Sequence, residues 1–257
     1  MLNTRLKDTL RKGKPVFGTF LKCHSPALIE TYGRAGFDFV ILDAEHGTYT
    51  FSAAENLVRA SESVNMSSII RIPDCTEASV LHSLDIGASG VQVPSLTRVE
   101  DARYAAQFSR YYPQGIRGLS FDQRSADYAM QPDLVKYMQH ANDNVSFIVQ
   151  VEKRELVERV EELCQIPQLD IIFIGPGDLS QSLGKPGQMN HPEVLAAIKH
   201  VTEIALKNHK YVGCITLDEK QVKEFIDLGM QYICWSTDMI MYSAAIRQAA
   251  SIFRPYK

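Results

Sequence analysis

The chain has no CxxC pair, no local run of lysine and arginine, and no apolar stretch near the roughly 18 residues that span a membrane. Each absence removes a class of function. The five cysteines (Cys23, Cys75, Cys164, Cys214, Cys234) are scattered and odd in number, which argues against a disulfide framework and a zinc–thiolate site. They read as reduced, buried thiols of a cytoplasmic protein. A formal net charge of −3, with no basic run to offset it locally, argues against a dedicated nucleic-acid binder. The opening residues MLNTRLKDTLRKGKP are charged and lack the apolar core of a signal peptide. Gly184-Lys185 is followed by Pro186, so the Gly-Lys-Ser/Thr of a phosphate-binding loop is missing. No serine–histidine or cysteine–histidine arrangement stands out, which disfavours nucleophilic hydrolysis. No Pro/Ser/Gly-rich linker divides the chain, so residues 1–257 read as one domain with room for a substantial core.

What is present is a rhythm. Short apolar, β-branched runs alternate with helical segments from end to end. The strand candidates are Val16–Leu21, Phe39–Leu42, Ser68–Ile72, Gly90–Val93, Phe147–Val151, Ile171–Ile174, Tyr211–Ile215 and Tyr232–Trp235. Their near-continuous apolarity suits strands covered on both faces, and eight βα repeats predict a single-domain α/β fold, the (β/α)8 TIM barrel. Helix signals fall between them. Ser25-Pro26 offers an N-cap and a first-turn proline, Thr97 to Glu100 matches a capping box, and His191-Pro192 and Asp218 open further helices. Lys153–Gln165 reads as a helix with a solvated, charged outer face. The stretch from Tyr111 to Gln131 breaks the rhythm, and as an insertion between the fourth and fifth strands it reads as a lid or binding loop on the active face.

In a parallel barrel the residues just past the strands converge on one site. Asp43, Glu45 and His46 follow the second strand, and the histidine has the titration range and the acidic neighbours of a general base. Glu152 and Asp178, after the fifth and sixth strands, suit an oxygen-loving cation such as Mg²⁺ or Mn²⁺, although either acid alone reads equally well as a helix cap. Arg71 needs an anionic partner: an ion pair with Asp43 or Asp85, or a substrate carboxylate or enolate oxygen. Gln150 also lies at the mouth, and Gly175-Pro176-Gly177-Asp178 lets backbone N–H groups approach an anion. Of the remaining histidines only His24 falls near a strand end.

These residues carry a resemblance. Asp43-Ala44-Glu45-His46-Gly47, Arg71-Ile72-Pro73, Leu84 to Gly90, Val93-Pro94, Tyr112 to Gly118, Gln150-Val151-Glu152 and Phe173 to Ser180 resemble, in this order, the HpcH/HpaI aldolase family. The resemblance covers the chain from about residue 16 onward. It implies a divalent-metal-dependent aldolase, a carbon–carbon lyase. Such an enzyme reversibly cleaves a 4-hydroxy-2-oxo acid or a 2-keto-3-deoxy sugar acid to pyruvate and an aldehyde through a metal-stabilised enolate. It also implies His46 as the base oriented by Asp43, and Glu152 and Asp178 as ligands of Mg²⁺, Mn²⁺ or Co²⁺. Arg71 would lie at the keto oxygen, the backbone of Gly177 and Asp178 at the pyruvate carboxylate, and Gln150 nearby. A homo-oligomer is implied as well, a hexamer built as a dimer of trimers with exchanged C-terminal helices. Gly177 stands where these enzymes often carry alanine, and Phe121-Asp122 is unusual, so the aldehyde half is not transferred. Three rivals remain at this level: a Schiff-base aldolase using Lys22, an acyl-CoA lyase of the citrate-lyase-β type, and a non-catalytic barrel that binds oxo-acids.

Overall fold

Eight parallel strands close into a barrel in chain order, each hydrogen-bonded to its neighbours and the eighth to the first, in a computed structural model that describes residues 2–256. They are β1 (Val16–Leu21), β2 (Phe39–Asp43), β3 (Ser67–Arg71), β4 (Gly90–Val93), β5 (Ser146–Val151), β6 (Ile171–Ile174), β7 (Tyr211–Thr216) and β8 (Tyr232–Thr237). All eight expected strands are present, with ends displaced by no more than two residues. The helices are α1 (Arg5–Arg11), α2 (Pro26–Arg34), α3 (Phe51–Ser63), α4 (Glu77–Asp85), α5 (Val99–Gln107), α6 (Leu134–Asn144), α7 (Arg154–Glu158), α8 (Val160–Cys164), α9 (Pro176–Ser182), α10 (Pro192–Lys207), α11 (Glu219–Asp227) and α12 (Asp238–Phe253).

Side chains alternate between the two faces of each strand, and this alternation positions the site. Val40 and Leu42, Ile70, Val91 and Val93, Val149 and Val151, and Ile172 and Ile174 face outward into the layer under the helices. Phe39 and Ile41, Ile69, Ile148, Ile171 and Phe173, and Tyr232 and Cys234 fill the interior. Continuing the inward set by two residues reaches Asp43, Arg71, Gln150 and Gly175 at the carboxyl ends. The register pairs Asp43 with Arg71 directly. At the opposite end α1 inserts Leu6 and Leu10 beneath the stacked rings of Phe39 and Tyr232, whose centroids lie 4.1 Å apart.

Local signals mostly hold. Ser25, His191 and Asp218 each accept a backbone N–H at the start of their helices. Three expectations are corrected. Thr97 does not cap α5: the helix opens at Arg98 without a side-chain cap, and Glu100 is drawn instead to Arg159, 2.7 Å away. The segment Lys153–Gln165 is two short helices, broken at Arg159, where φ is −112°. The insertion from Tyr111 to Gln131 does not cover the mouth of its own barrel. It leaves from the end of α5 and packs on the C-terminal ends of α3 and α4, where Arg117 meets Asp85 at 2.7 Å and Arg124 pairs with Glu62. Helix C-termini lie at the amino ends of the strands, so this segment sits away from the mouth, and none of its residues lines the cavity there.

Candidate active site

At the carboxyl end of the barrel lies a cavity of about 380 Å³, whose wall includes Lys22, Asp43, Arg71, Gln150, Gly177 and Asp178. Asp43 is fully buried and takes Arg71 in a fork, Nε to Oδ1 at 2.9 Å and Nη2 to Oδ2 at 2.7 Å. Burial alone would raise this carboxyl, but the guanidinium and the His46 backbone N–H hold it below the usual aspartate range. Arg71 is therefore ion-paired with Asp43, one of the two partners the sequence offered; the other, Asp85, is engaged by Arg117. Glu45 takes a further Arg71 nitrogen at 2.9 Å. Three of the five N–H groups of a guanidinium are thus occupied, leaving two for a ligand. The Arg71 guanidinium also lies 4.8 Å from the centre of the Phe20 ring, which fixes its plane from one side.

His46 follows β2 with its side chain about half exposed, and it is not among the residues that line the cavity. Asp43 reaches it through the backbone, accepting the His46 N–H at 3.1 Å, while the imidazole Nε2 faces Glu45 at 3.8 Å. The acid beside the ring is thus Glu45. His24 does not line the cavity; its ring stacks on Tyr49 with centroids 4.4 Å apart.

Glu152 is 1% exposed and accepts the Ser95 backbone N–H at 2.7 Å on one oxygen and Gln150 Nε2 on the other. Gln150 is itself held by Gln92 at 2.8 Å, so β4, β5 and the loop after β4 together fix one carboxylate. Burial raises Glu152 above the ordinary glutamate value; these hydrogen bonds oppose the rise, and the charges of Asp178 and Glu45 add to it. Gly175 makes the room. A Cβ there would stand 2.5 Å from Glu152 Oε2 and 2.9 Å from Gln150 Nε2. At Gly177 a Cβ would meet nothing within 4 Å.

The capping alternatives for the two acids can now be judged. Neither α7 nor α9 has a side-chain cap, and among the described residues Asp178 accepts no hydrogen bond. A pair of carboxylates, one buried and destabilised as an anion by its neighbours, is a donor set suited to a hard divalent cation that would relieve that repulsion. No cluster of three or more His, Cys, Asp or Glu residues fit for a metal occurs among the described residues, so water and substrate oxygens would complete such a shell. The Gly177 and Asp178 N–H groups open α9 on the cavity wall with no backbone acceptor among the described residues.

Sequence reasoning missed Gln92 and Ser95. Gln92 carried a signal, a polar residue at an inward position of an apolar strand. Ser95 carried none: it works from a left-handed backbone, φ 57°, donating its N–H to Glu152 and its hydroxyl to Glu45 at 2.9 Å. Such a conformation is uncommon for a residue other than glycine and is held only where the surroundings fix it.

The model of the family described as HpcH/HpaI aldolase/citrate lyase matches residues 16–245. The chain is 30% identical over 253 residues to the hydroxypyruvate/pyruvate aldolase of Cupriavidus necator, covering 98% of this chain and 93% of that one. It is also 30% identical over 250 residues to the 5-keto-4-deoxy-D-glucarate aldolase of Klebsiella pneumoniae, covering 97% and 96%. The crystal structure of an HpcH/HpaI aldolase from Desulfitobacterium hafniense superposes with a TM-score of 0.92 at 29% identity, over 97% of each chain. The match begins at the first residue of β1 and runs into α12, so it takes in every strand end of the cavity, and the chain belongs to the HpcH/HpaI aldolase/citrate lyase family.

Proposed function

We propose that residues 1–257 form one aldolase domain that reversibly cleaves a 4-hydroxy-2-oxo acid, or a 2-keto-3-deoxy sugar acid, to pyruvate and an aldehyde with the help of a divalent cation. The observation that carries this reading is the buried Glu152 carboxylate, left without a cap to make and close enough to Asp178 for its charge to act on it, behind a cavity wall that includes Asp178 and Arg71. Glu152 and Asp178 would hold Mg²⁺, Mn²⁺ or Co²⁺, which supplies Lewis acidity at the keto group when bound. Arg71 places its two remaining N–H groups where the C2 oxygen gains negative charge. The N–H groups of Gly177 and Asp178 receive the pyruvate carboxylate, with Gln150 beside them. In cleavage the C4 hydroxyl gives its proton to His46, the C3–C4 electron pair moves to C2–C3, and the C2 carbonyl pair moves onto oxygen. The enolate then takes up a proton at C3 to give pyruvate; in the reverse direction the enolate carbon attacks the aldehyde and His46 returns the proton to the new C4 oxygen. Glu45 lies next to the imidazole and is tied to Arg71 and Ser95, which fixes its position beside the ring.

The Schiff-base reading is tested in the same experiment. Lys22 lies on the cavity wall, with Nζ 3.8 Å from Asp43 Oδ2. Proton exchange at the pyruvate methyl group, followed by NMR in D2O, should require added cation and vanish in EDTA. Full exchange in EDTA, with borohydride trapping of pyruvate on Lys22, would replace the metal mechanism. Pyruvate binding without exchange in metal-loaded protein would leave a non-catalytic barrel.

Assembly is part of the proposal. Helix α12 meets its own barrel at its first turn, beside β1 and β8, and beyond that turn exposes Tyr242, Ile246, Ile252 and Phe253, an apolar surface left uncovered by its own barrel among the described residues. We assign it to exchange between subunits of a homo-oligomer, a dimer of trimers. All five cysteines are free thiols, which favours a reducing, cytoplasmic setting. No helix among the described residues is long and apolar enough to cross a membrane.

A further inference from the structure

We infer that Ser95 is a positioning residue that links the carboxylate of the proposed cation site to the acid beside His46, an assignment that rests on the aldolase reading and deepens it. Ser95 lies two residues past β4, flanked in the chain by the buried Val93 and Leu96, and its left-handed backbone turns both of its donors toward carboxylates. The N–H goes to Glu152 Oε1 at 2.7 Å. The hydroxyl oxygen stands 3.2 Å from that same Oε1 and 2.9 Å from Glu45 Oε1. The other oxygen of Glu45 meets Arg71 Nη1 at 2.9 Å and faces His46 Nε2 at 3.8 Å. One hydroxyl therefore stands between the proposed cation ligand and the two groups assigned to the keto oxygen and the proton.

A hydroxyl has a single proton, and an ionised carboxylate can only accept. Ser95 can serve Glu45 or Glu152 with it, not both. Glu152 keeps the Ser95 N–H and Gln150 Nε2 whichever way the hydroxyl turns, and the shorter hydroxyl contact is to Glu45. When Glu152 shares its charge with a cation it becomes the weaker acceptor, and the hydroxyl proton goes to Glu45. That bond holds Glu45 against Arg71 and beside the His46 ring. Loading of the cation site and placement of Glu45 are thus coupled, with Ser95 as the carrier.

The test is a double-mutant cycle read by calorimetry of Mn²⁺ binding without substrate, on wild type, Ser95→Ala, Glu45→Gln and the double variant. Ser95 is exposed, so truncating it opens no cavity in the core. In Glu45→Gln the amide oxygen turns to Arg71 and the amide NH2 donates to the Ser95 hydroxyl, which must then give its proton to Glu152 and compete with the cation. Glu45→Gln should therefore weaken Mn²⁺ binding about threefold more with Ser95 present than in the Ser95→Ala background. Loss of the Glu45 charge acts through space and weakens binding by the same factor in both, so equal factors overturn the assignment. At saturating Mn²⁺, Ser95→Ala should lower kcat for cleavage of 4-hydroxy-2-oxopentanoate about tenfold, the low end of the usual cost of removing a partner behind a metal site. Ser95→Gly, which adopts the left-handed turn without strain, should show the same loss, since it lacks the same hydroxyl. Wild-type kcat in either variant overturns the assignment. Wild-type protein that neither binds Mn²⁺ nor exchanges pyruvate methyl protons rejects the aldolase reading and this inference with it; with binding and exchange intact, the cycle judges Ser95 alone.

Discussion

Asp43 and Glu152 are both buried carboxylates at the barrel mouth, yet their surroundings move them in opposite directions. Asp43 has a guanidinium in a two-pronged grip and sits below the ordinary range; Glu152 has burial and two acidic neighbours and sits above it. The first behaves as a permanent anion that holds Arg71, the second as a carboxyl whose negative charge a cation would stabilise. His46 differs from both in being accessible: its ring is about half exposed, with Glu45 3.8 Å away. His46→Ala should keep cation and pyruvate binding in calorimetry while aldol cleavage falls by about 10²–10⁴-fold, the usual worth of a positioned general base. Cleavage near the wild-type rate would move the base elsewhere. The sequence exposed Asp43, Arg71, Glu152 and Asp178 because each interrupts or ends an apolar run. It hid Ser95, whose role comes from a backbone conformation, and it left Arg71 open between ion pair and clamp because five donors serve both.

At the scale of elements, the turn from β6 into α9 sets the mouth through two glycines with different reasons to be there. Gly175 is required by space, since any Cβ would drive into Glu152 and Gln150, and Gly177 is not. Gly175→Ala should displace Glu152, cost roughly 1–3 kcal/mol by overpacking and weaken cation binding. Gly177→Ala should leave thermal unfolding unchanged or improve it by up to about 1 kcal/mol, since alanine is the better helix former. A comparable loss from both substitutions would contradict this assignment of roles. The long insertion shows where sequence order misleads. Its length was legible, but its placement depends on following helix α5 rather than strand β4, and that puts it at the other end of the barrel. Helix α12 is the converse, an ordinary helical pattern whose lack of a partner only the structure reveals. Ile246→Glu together with Phe253→Glu should lower the oligomeric mass in light scattering without unfolding the barrel; a wild-type chain that runs as a monomer would remove the proposed exchange.

Across the whole molecule, the eight-strand count was legible because apolar runs recur between helix signals, whereas the facing of each residue was not. Strands buried on both sides have no polar face to mark the interior, so only closure shows that Phe39, Ile41 and Asp43 share a side. A cation held as proposed would couple the site to global stability. At 100 times its Kd a bound cation adds about 2.7 kcal/mol, which for a chain of this size raises Tm by roughly 5–10 °C. That gain should shrink as pH falls, beginning above the ordinary glutamate value of 4.5, because Glu152 takes up its proton early. In metal-free protein the sign reverses for this group: a raised carboxyl favours the fold at low pH and loses that contribution as pH rises through its folded value. Asp43 runs the other way, contributing above the ordinary aspartate value of 3.8 and losing it as pH falls through its depressed one. A cation-induced Tm shift that is constant from pH 8 down to pH 4.5 would place the cation away from Glu152.

The floor of the barrel has a kinetic consequence. Leu6 and Leu10 of α1, under the stacked Phe39 and Tyr232, seal the amino end, so the cavity has a single opening. In the proposed binding mode the keto-acid half would be held by Arg71, itself buried, and by the start of α9, and so would bind below the aldehyde half. Departure through one door then follows a queue: the aldehyde leaves first and pyruvate last. Pyruvate should accordingly inhibit cleavage competitively and the aldehyde non-competitively.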